Sequence, residues 1–156
     1  METENEVVEK LRQCLKDAIL EVSAPRKRRI FLHVKTSSLV DTIKYLVNDL
    51  EFKHISTITG SDLGQEMELM YHLAHEGSVE LSVRVKVPKN NPSVPSITNI
   101  IPGAVLYERE VHDVLGVTFE GHPDLSRLIL PEEWPEGVYP LRKDEKFEEL
   151  RKIGSK

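Results

Sequence analysis

Glu110, His112, Asp113, His122 and Asp124 fall within one short stretch, and all are residue types that bind metal ions or move protons. A zinc site asks three or four such groups to converge on one point. The spacing works against that: His112 lies well around a helix from Glu110, and no His-x-x-x-His pair exists to anchor a site. His72 and His75 are three apart, on a strand and a turn where they should diverge. General acid–base work needs a cleft and a partner group, and the sequence displays neither. A metal-dependent hydrolase built on Glu110, Asp113 and His122 is therefore the weaker reading. Gly60-Ser-Asp-Leu-Gly64 lacks the third glycine and the helix start of a dinucleotide fingerprint. No Gly-x-x-x-x-Gly-Lys and no Gly-x-Ser-x-Gly occurs. The single cysteine, Cys14, can neither form an internal disulfide nor supply the four ligands usual for an iron–sulfur cluster. Its place in a helical pattern predicts a half-buried structural role. Arg26 to Arg29 is a basic run without interleaved aromatic residues, and the net charge is −5, so no nucleic-acid partner is expected.

The elements that must position these residues can be read from periodicity. At 156 residues, 39% apolar and 30% charged, the chain suits one domain with a modest core. Val7, Val8, Leu11, Leu15, Ala18, Ile19 and Val22 make a helical stripe over 5–22, with Pro25 as a stop. Ile30 to Val34 reads as a buried strand. Ser37 and Ser38 can cap a second helix whose stripe is Leu39, Ile43, Leu46, Val47 and Leu50. Phe52 to Thr59 reads as a strand ending at Gly60. Met67, Leu69, Tyr71 and Leu73 alternate with polar residues, and Val79, Leu81, Val83, Val85 and Val87 do so strictly; with a turn around Glu76-Gly77-Ser78 they predict a hairpin. A three-proline loop over 88–96 and a short turn at 97–101 lead to Pro102 and a helix over 103–115, ended by Gly116. Glycine and proline then recur, predicting an extended tail over 117–143 and a last charged helical stretch over 144–152.

The expected fold is α/β in the α+β sense: an open, largely antiparallel four-stranded sheet with helices on one face, plus the extended C-terminal tail. Residues 1–116 form the domain, and 117–156 form a tail that needs something to lie against. On the helix 103–115, Tyr107, Val111, Val114 and Leu115 make the buried stripe. Arg109 with Asp113, and Glu108 with His112, are four apart and can pair on a solvated face. No apolar run is long enough to cross a bilayer, and the acidic start is unlike a secretory signal.

The run from Tyr107 to Leu130 resembles the signature of the thirty-kilodalton subunit family of respiratory complex I and its relatives among membrane-bound hydrogenases. Glu108, Arg109, Glu110, Asp113, Gly116, Phe119, Gly121, His122, Pro123, Asp124, Leu125 and Arg127 carry the likeness. The approach from Ile97 to Glu110 and the closing Pro-Leu-Arg-Lys-Asp at 140–144 are also similar. Ser126 stands where complex I members often have a second arginine, and the segment Leu130 to Pro140 with its Trp134 and Tyr139 looks nearer the energy-converting hydrogenase branch; the alternative is a complex I-like NADH or other coenzyme:quinone dehydrogenase.

The resemblance implies a cofactor-free subunit with no catalysis of its own. It implies docking to a large nickel–iron-hydrogenase-like catalytic subunit and a small iron–sulfur subunit, on the cytoplasmic side of a membrane complex whose embedded subunits are met indirectly. Iron–sulfur clusters, and nickel–iron where kept, would lie in those partners. Glu108, Arg109, Glu110, Asp113, Phe119, His122, Pro123, Arg127, Trp134, Tyr139 and Arg142 are then the expected interface residues.

Overall fold

A computed structural model describes residues 3–75 and 79–155; the turn expected at Glu76-Gly77-Ser78 lies outside the described residues. Helix α1 (Glu4–Leu15) opens on a capping box, in which the Thr3 hydroxyl accepts from the Glu6 N–H while the Glu6 carboxylate accepts from the Thr3 N–H. The chain breaks at Lys16, whose φ is 41°, and β1 (Ile19–Arg26) follows. The predicted helix over 5–22 is therefore too long. Ala18, Ile19 and Val22 happen to continue a helical spacing, but pairing with β2 (Arg29–Val34) overrides it. Pro25 sits inside β1, at the sheet's edge, where its missing N–H costs no ladder bond.

Helix α2 (Leu39–Asn48) buries Leu39, Ile43 and Leu46. Ser38 holds its N-cap position without a side-chain bond, because a 3-10 turn at Thr36–Ser38 leads into the helix. Strand β3 (His54–Asp62) runs through Gly60 rather than ending there. β4 (Glu66–Ala74) and β5 (Glu80–Pro88) form the expected antiparallel pair. The order β1-β2-β5-β4-β3 gives five strands, not four. The strand unforeseen is β1. Within this sheet all pairs are antiparallel except β2 with β5.

One face of the sheet, with Leu32, Leu69, Tyr71, Leu81 and Val83, is sealed into a core shared with the apolar stripes of α1, α2 and α3 (Val105–Leu115). The other face carries the polar alternation, crossed by Arg84–Glu68 at 3.2 Å and by His72, whose ring nitrogens meet Ser82 and Thr59 hydroxyls at 2.8 and 3.0 Å. Cys14 is exposed, not half-buried. Within the three-proline loop, β6 (Ser93–Pro95) pairs in parallel with β7 (Thr118–Glu120). Val117 and Phe119 are fully buried, so the core continues past Gly116. Beyond β7 the chain is irregular until α4 (Phe147–Ile153).

Candidate functional site

Helix α3 is placed by two glycines. Gly60 in β3 has no side chain where Leu115 and Val111 of α3 rest; an added Cβ would overlap the Leu115 methyl and come to 3.2 Å of Val111. Gly116 ends the helix in the left-handed region, at φ 73°, and donates its N–H to the His112 carbonyl. Val111 and Leu115 face the core as the stripe predicts, with Tyr107 and Val114 half-buried.

The charged residues of α3 take partners other than those of the expected solvated pairs. Glu108 is fully buried. Its carboxylate accepts from the Ser96 hydroxyl at 2.6 Å and the Ile97 N–H at 2.8 Å. Burial pushes its pKa up, and these two bonds, with His122 nearby, offset only part of that. Arg109 donates to the carbonyls of Ser126 and Arg127 at 3.1 and 2.8 Å, and to the Ser126 hydroxyl. Asp113 is 5% exposed, and one of its oxygens accepts three successive N–H groups, from Leu128, Ile129 and Leu130, at 3.2, 2.8 and 2.8 Å. Burial alone would raise the Asp113 pKa; the three N–H donors and the Arg127 guanidinium outweigh it and hold the carboxyl below its usual range. His112 donates from Nδ1 to the Val117 carbonyl at 2.8 Å.

The segment after β7 therefore follows α3 from end to end as a strap. His122 donates from Nε2 to the Val105 carbonyl and accepts the Asp124 N–H at Nδ1, each at 3.0 Å. Its Nε2 lies 4.0 Å from Glu108 with both side chains fully buried. Arg127 donates to the Trp134 carbonyl at 2.5 Å, and the Trp134 indole donates to the Val138 carbonyl. Arg142 lies over the Tyr139 ring at 4.6 Å and donates to the Leu115 carbonyl at 2.8 Å. Both side chains occupy the space above Gly116. At the far end Asp62, itself 6% exposed, accepts from the Lys143 and Gly64 N–H groups and pairs with Lys89, which also meets Asp144.

Glu108, Arg109, Asp113, His122, Arg127, Trp134, Tyr139 and Arg142 are thus brought together as the fastening between helix and strap. Phe119 is a core residue, while Glu110 and Pro123 stand exposed. Sequence reasoning missed Asp62, Lys89, Ser96 and Tyr71. Only Asp62 carried a local signal, the Asp-x-Gly order of a side-chain turn. Tyr71, whose buried hydroxyl has no partner among the described residues, has its pKa raised by burial and by nearby Glu108. Among the described residues no three His, Cys, Asp or Glu side chains gather to hold a metal ion. Glu110, Asp113 and His122 do not gather into such a site. Asp113 and His122 are already occupied by backbone groups, and Glu110 stands apart in solvent. Among the described residues no helix is long and apolar enough to cross a membrane.

An open sheet backed by helices, with a C-terminal strap pinned along its last core helix by an acidic–basic motif, defines a class of αβ domain with an appended clasp. The chain belongs to the family described as respiratory-chain NADH dehydrogenase, 30 Kd subunit, which matches residues 32–150. It is 42% identical over 144 residues to an NADH-quinone oxidoreductase subunit of Roseiflexus sp. (strain RS-1), covering 88% of this chain and 81% of that one. It is 31% identical over 134 residues to membrane-bound hydrogenase subunit beta of Pyrococcus furiosus, covering 83% and 78%. A chain in the structure of the membrane-bound sulfane sulfur reductase, an archaeal respiratory membrane complex, superposes with a TM-score of 0.84 at 27% identity, covering 97% of this chain and 91% of that one.

Proposed function

We propose that this chain is a cofactor-free docking subunit in the peripheral arm of a membrane-bound oxidoreductase of the complex I and membrane-bound hydrogenase kind. Its strap meets the large hydrogenase-like catalytic subunit, with the small iron–sulfur subunit alongside. The carrying observation is the exposure of Leu128, Ile129 and Leu141 (40, 55 and 60%) on a strap whose amides at those three residues are hydrogen-bonded back to α3. A monomer gains nothing from holding large apolar side chains in water on a fixed frame, whereas an interface does. In this reading Glu108, Arg109 and Asp113 act from behind, by shaping the strap. Glu110, Pro123 and the strap's apolar and aromatic groups supply contact.

The 42% identity to the Roseiflexus subunit, against 31% to the Pyrococcus one, favours a quinone-reducing, complex I-like assembly. The hydrogenase-type reading keeps the support of the strap sequence around Trp134 and of the match to membrane-bound hydrogenase subunit beta. The test is affinity purification of the tagged chain from detergent-solubilised membranes. The large subunit should come with it, and Leu128→Glu with Ile129→Glu should abolish that while the isolated chain stays folded. Unchanged assembly in the double variant would remove the strap from the interface. Stoichiometric nickel in the purified complex would decide for the hydrogenase branch.

A further inference from the structure

We propose that the strap is folded onto α3 before any partner arrives, with Asp113 as the positioning residue that sets its register. The inference deepens the docking reading and rests on it only for what the strap eventually meets. A segment that orders on binding leaves its backbone to water until then. Here three consecutive N–H groups, of Leu128, Ile129 and Leu130, converge on one buried carboxylate oxygen within the same chain. Successive amides turned inward in this way make an anion-binding nest, and Asp113 is an anion the chain supplies itself.

Two features make the register specific. Asp113 stands in the last turn of α3, where the helix dipole disfavours a carboxylate, so the strap's amides and Arg127 supply the compensation that the helix does not. One turn earlier on the same face, Arg109 takes the carbonyls of Ser126 and Arg127. The strap thus presents carbonyls to the cation and then, at the next residues, amides to the anion. A slip of two or three residues would set carbonyl oxygens against the Asp113 carboxylate. Further fastenings, from Leu141 N–H to the Val114 carbonyl at 3.1 Å and from Lys143 N–H to Asp62 at 2.8 Å, lie beyond that point in the same direction. The result is a platform whose exposed Leu128 and Ile129 are already oriented, so docking loses less conformational freedom.

Amide hydrogen exchange on the isolated full-length chain tests this without any partner. The amides of Leu128, Ile129, Leu130 and Lys143 should exchange at least roughly tenfold more slowly than in a synthetic peptide spanning 124–146. Asp113→Asn should lose the protection at 128–130 while keeping it at Lys143 and in β4 and β5; Asp62→Asn should lose it at Lys143 and Gly64 while keeping it at 128–130. Peptide-like exchange at 128–130 in the wild-type chain overturns the proposal, even if the variants do not fold. Retained protection in a folded Asp113→Asn overturns the role of Asp113. Protected amides in a chain that captures no large subunit would instead count against the docking reading.

Discussion

Gly116→Ala is expected to unfasten the strap, and its cost can be worked from the geometry. The backbone there has φ 73°, a conformation costing an L-residue about 1–2 kcal/mol. The added Cβ would also overlap the Tyr139 ring and approach the Arg142 guanidinium to 2.8 Å. Displacing that pair loses the Arg142 bond to the Leu115 carbonyl, a charge-assisted bond of about 1.5–3 kcal/mol. It also loses the cation–π contact between these half-buried side chains, at least about 0.5–1 kcal/mol. The total is about 3 kcal/mol at the low end of each range. Gly121 and Gly137 are internal controls. They share the left-handed backbone, with φ 84° and 76°, but an added Cβ meets nothing within 4 Å, so each Ala variant should lose only about 1–2 kcal/mol. Trp134, the only tryptophan, lies on the strap, so its fluorescence reports the strap while far-UV circular dichroism reports the sheet. In urea the Gly116→Ala fluorescence midpoint should fall about 1 M below that of Gly121→Ala, for the usual denaturant dependence of small proteins. Adding Tyr139→Ala should recover part of the loss by making room. Coincident midpoints for Gly116→Ala and Gly121→Ala would refute the claim that Tyr139 and Arg142 clasp the helix end.

Two further predictions concern pH. Burial works to raise the Asp62 carboxyl, but Lys89 and the Lys143 and Gly64 N–H groups outweigh it and hold the pKa at about 2, below the ordinary 3.8. Its contribution is therefore fully present above about pH 4 and lost as the pH falls from there toward 2, so Asp62→Asn should flatten acid unfolding in that window; an unchanged acid profile would oppose the fastening. Glu108 is the opposite case: burial holds its pKa above 4.5, so the folded chain takes up the proton more readily than the unfolded one. The wild type should gain on Glu108→Gln as the pH falls from 7 toward 4.5. A constant difference in thermal midpoint between pH 7 and 5 would oppose it.

Much of the fold was legible because period two and helical spacing are written plainly in β4, β5, α2 and α3. β1 was not, because Ile19 and Val22 extend the α1 stripe by coincidence and only pairing with β2 reveals the strand. The site was legible as a motif but not as an arrangement. Helical spacing put Arg109 and Asp113 on a common face and so suggested that they bond each other. Their partners, the carbonyls and amides of 126–130, carry no side-chain signature at all. Glu108 was read as a surface charge because nothing local announces that Ser96 and Ile97 lie against it. Gly116 is the exception, since both its roles follow from its having no Cβ.

In the proposed function this chain holds no redox groups and clasps a neighbour that carries them. Purification of the native assembly from detergent-solubilised membranes, with metal analysis and an absorption spectrum taken before and after this chain is stripped off, tests it most directly. The chain should leave colourless and iron-free while the iron–sulfur spectrum stays with the large and small subunits. A chain that migrates alone, or that carries away a flavin or iron–sulfur chromophore, would contradict it.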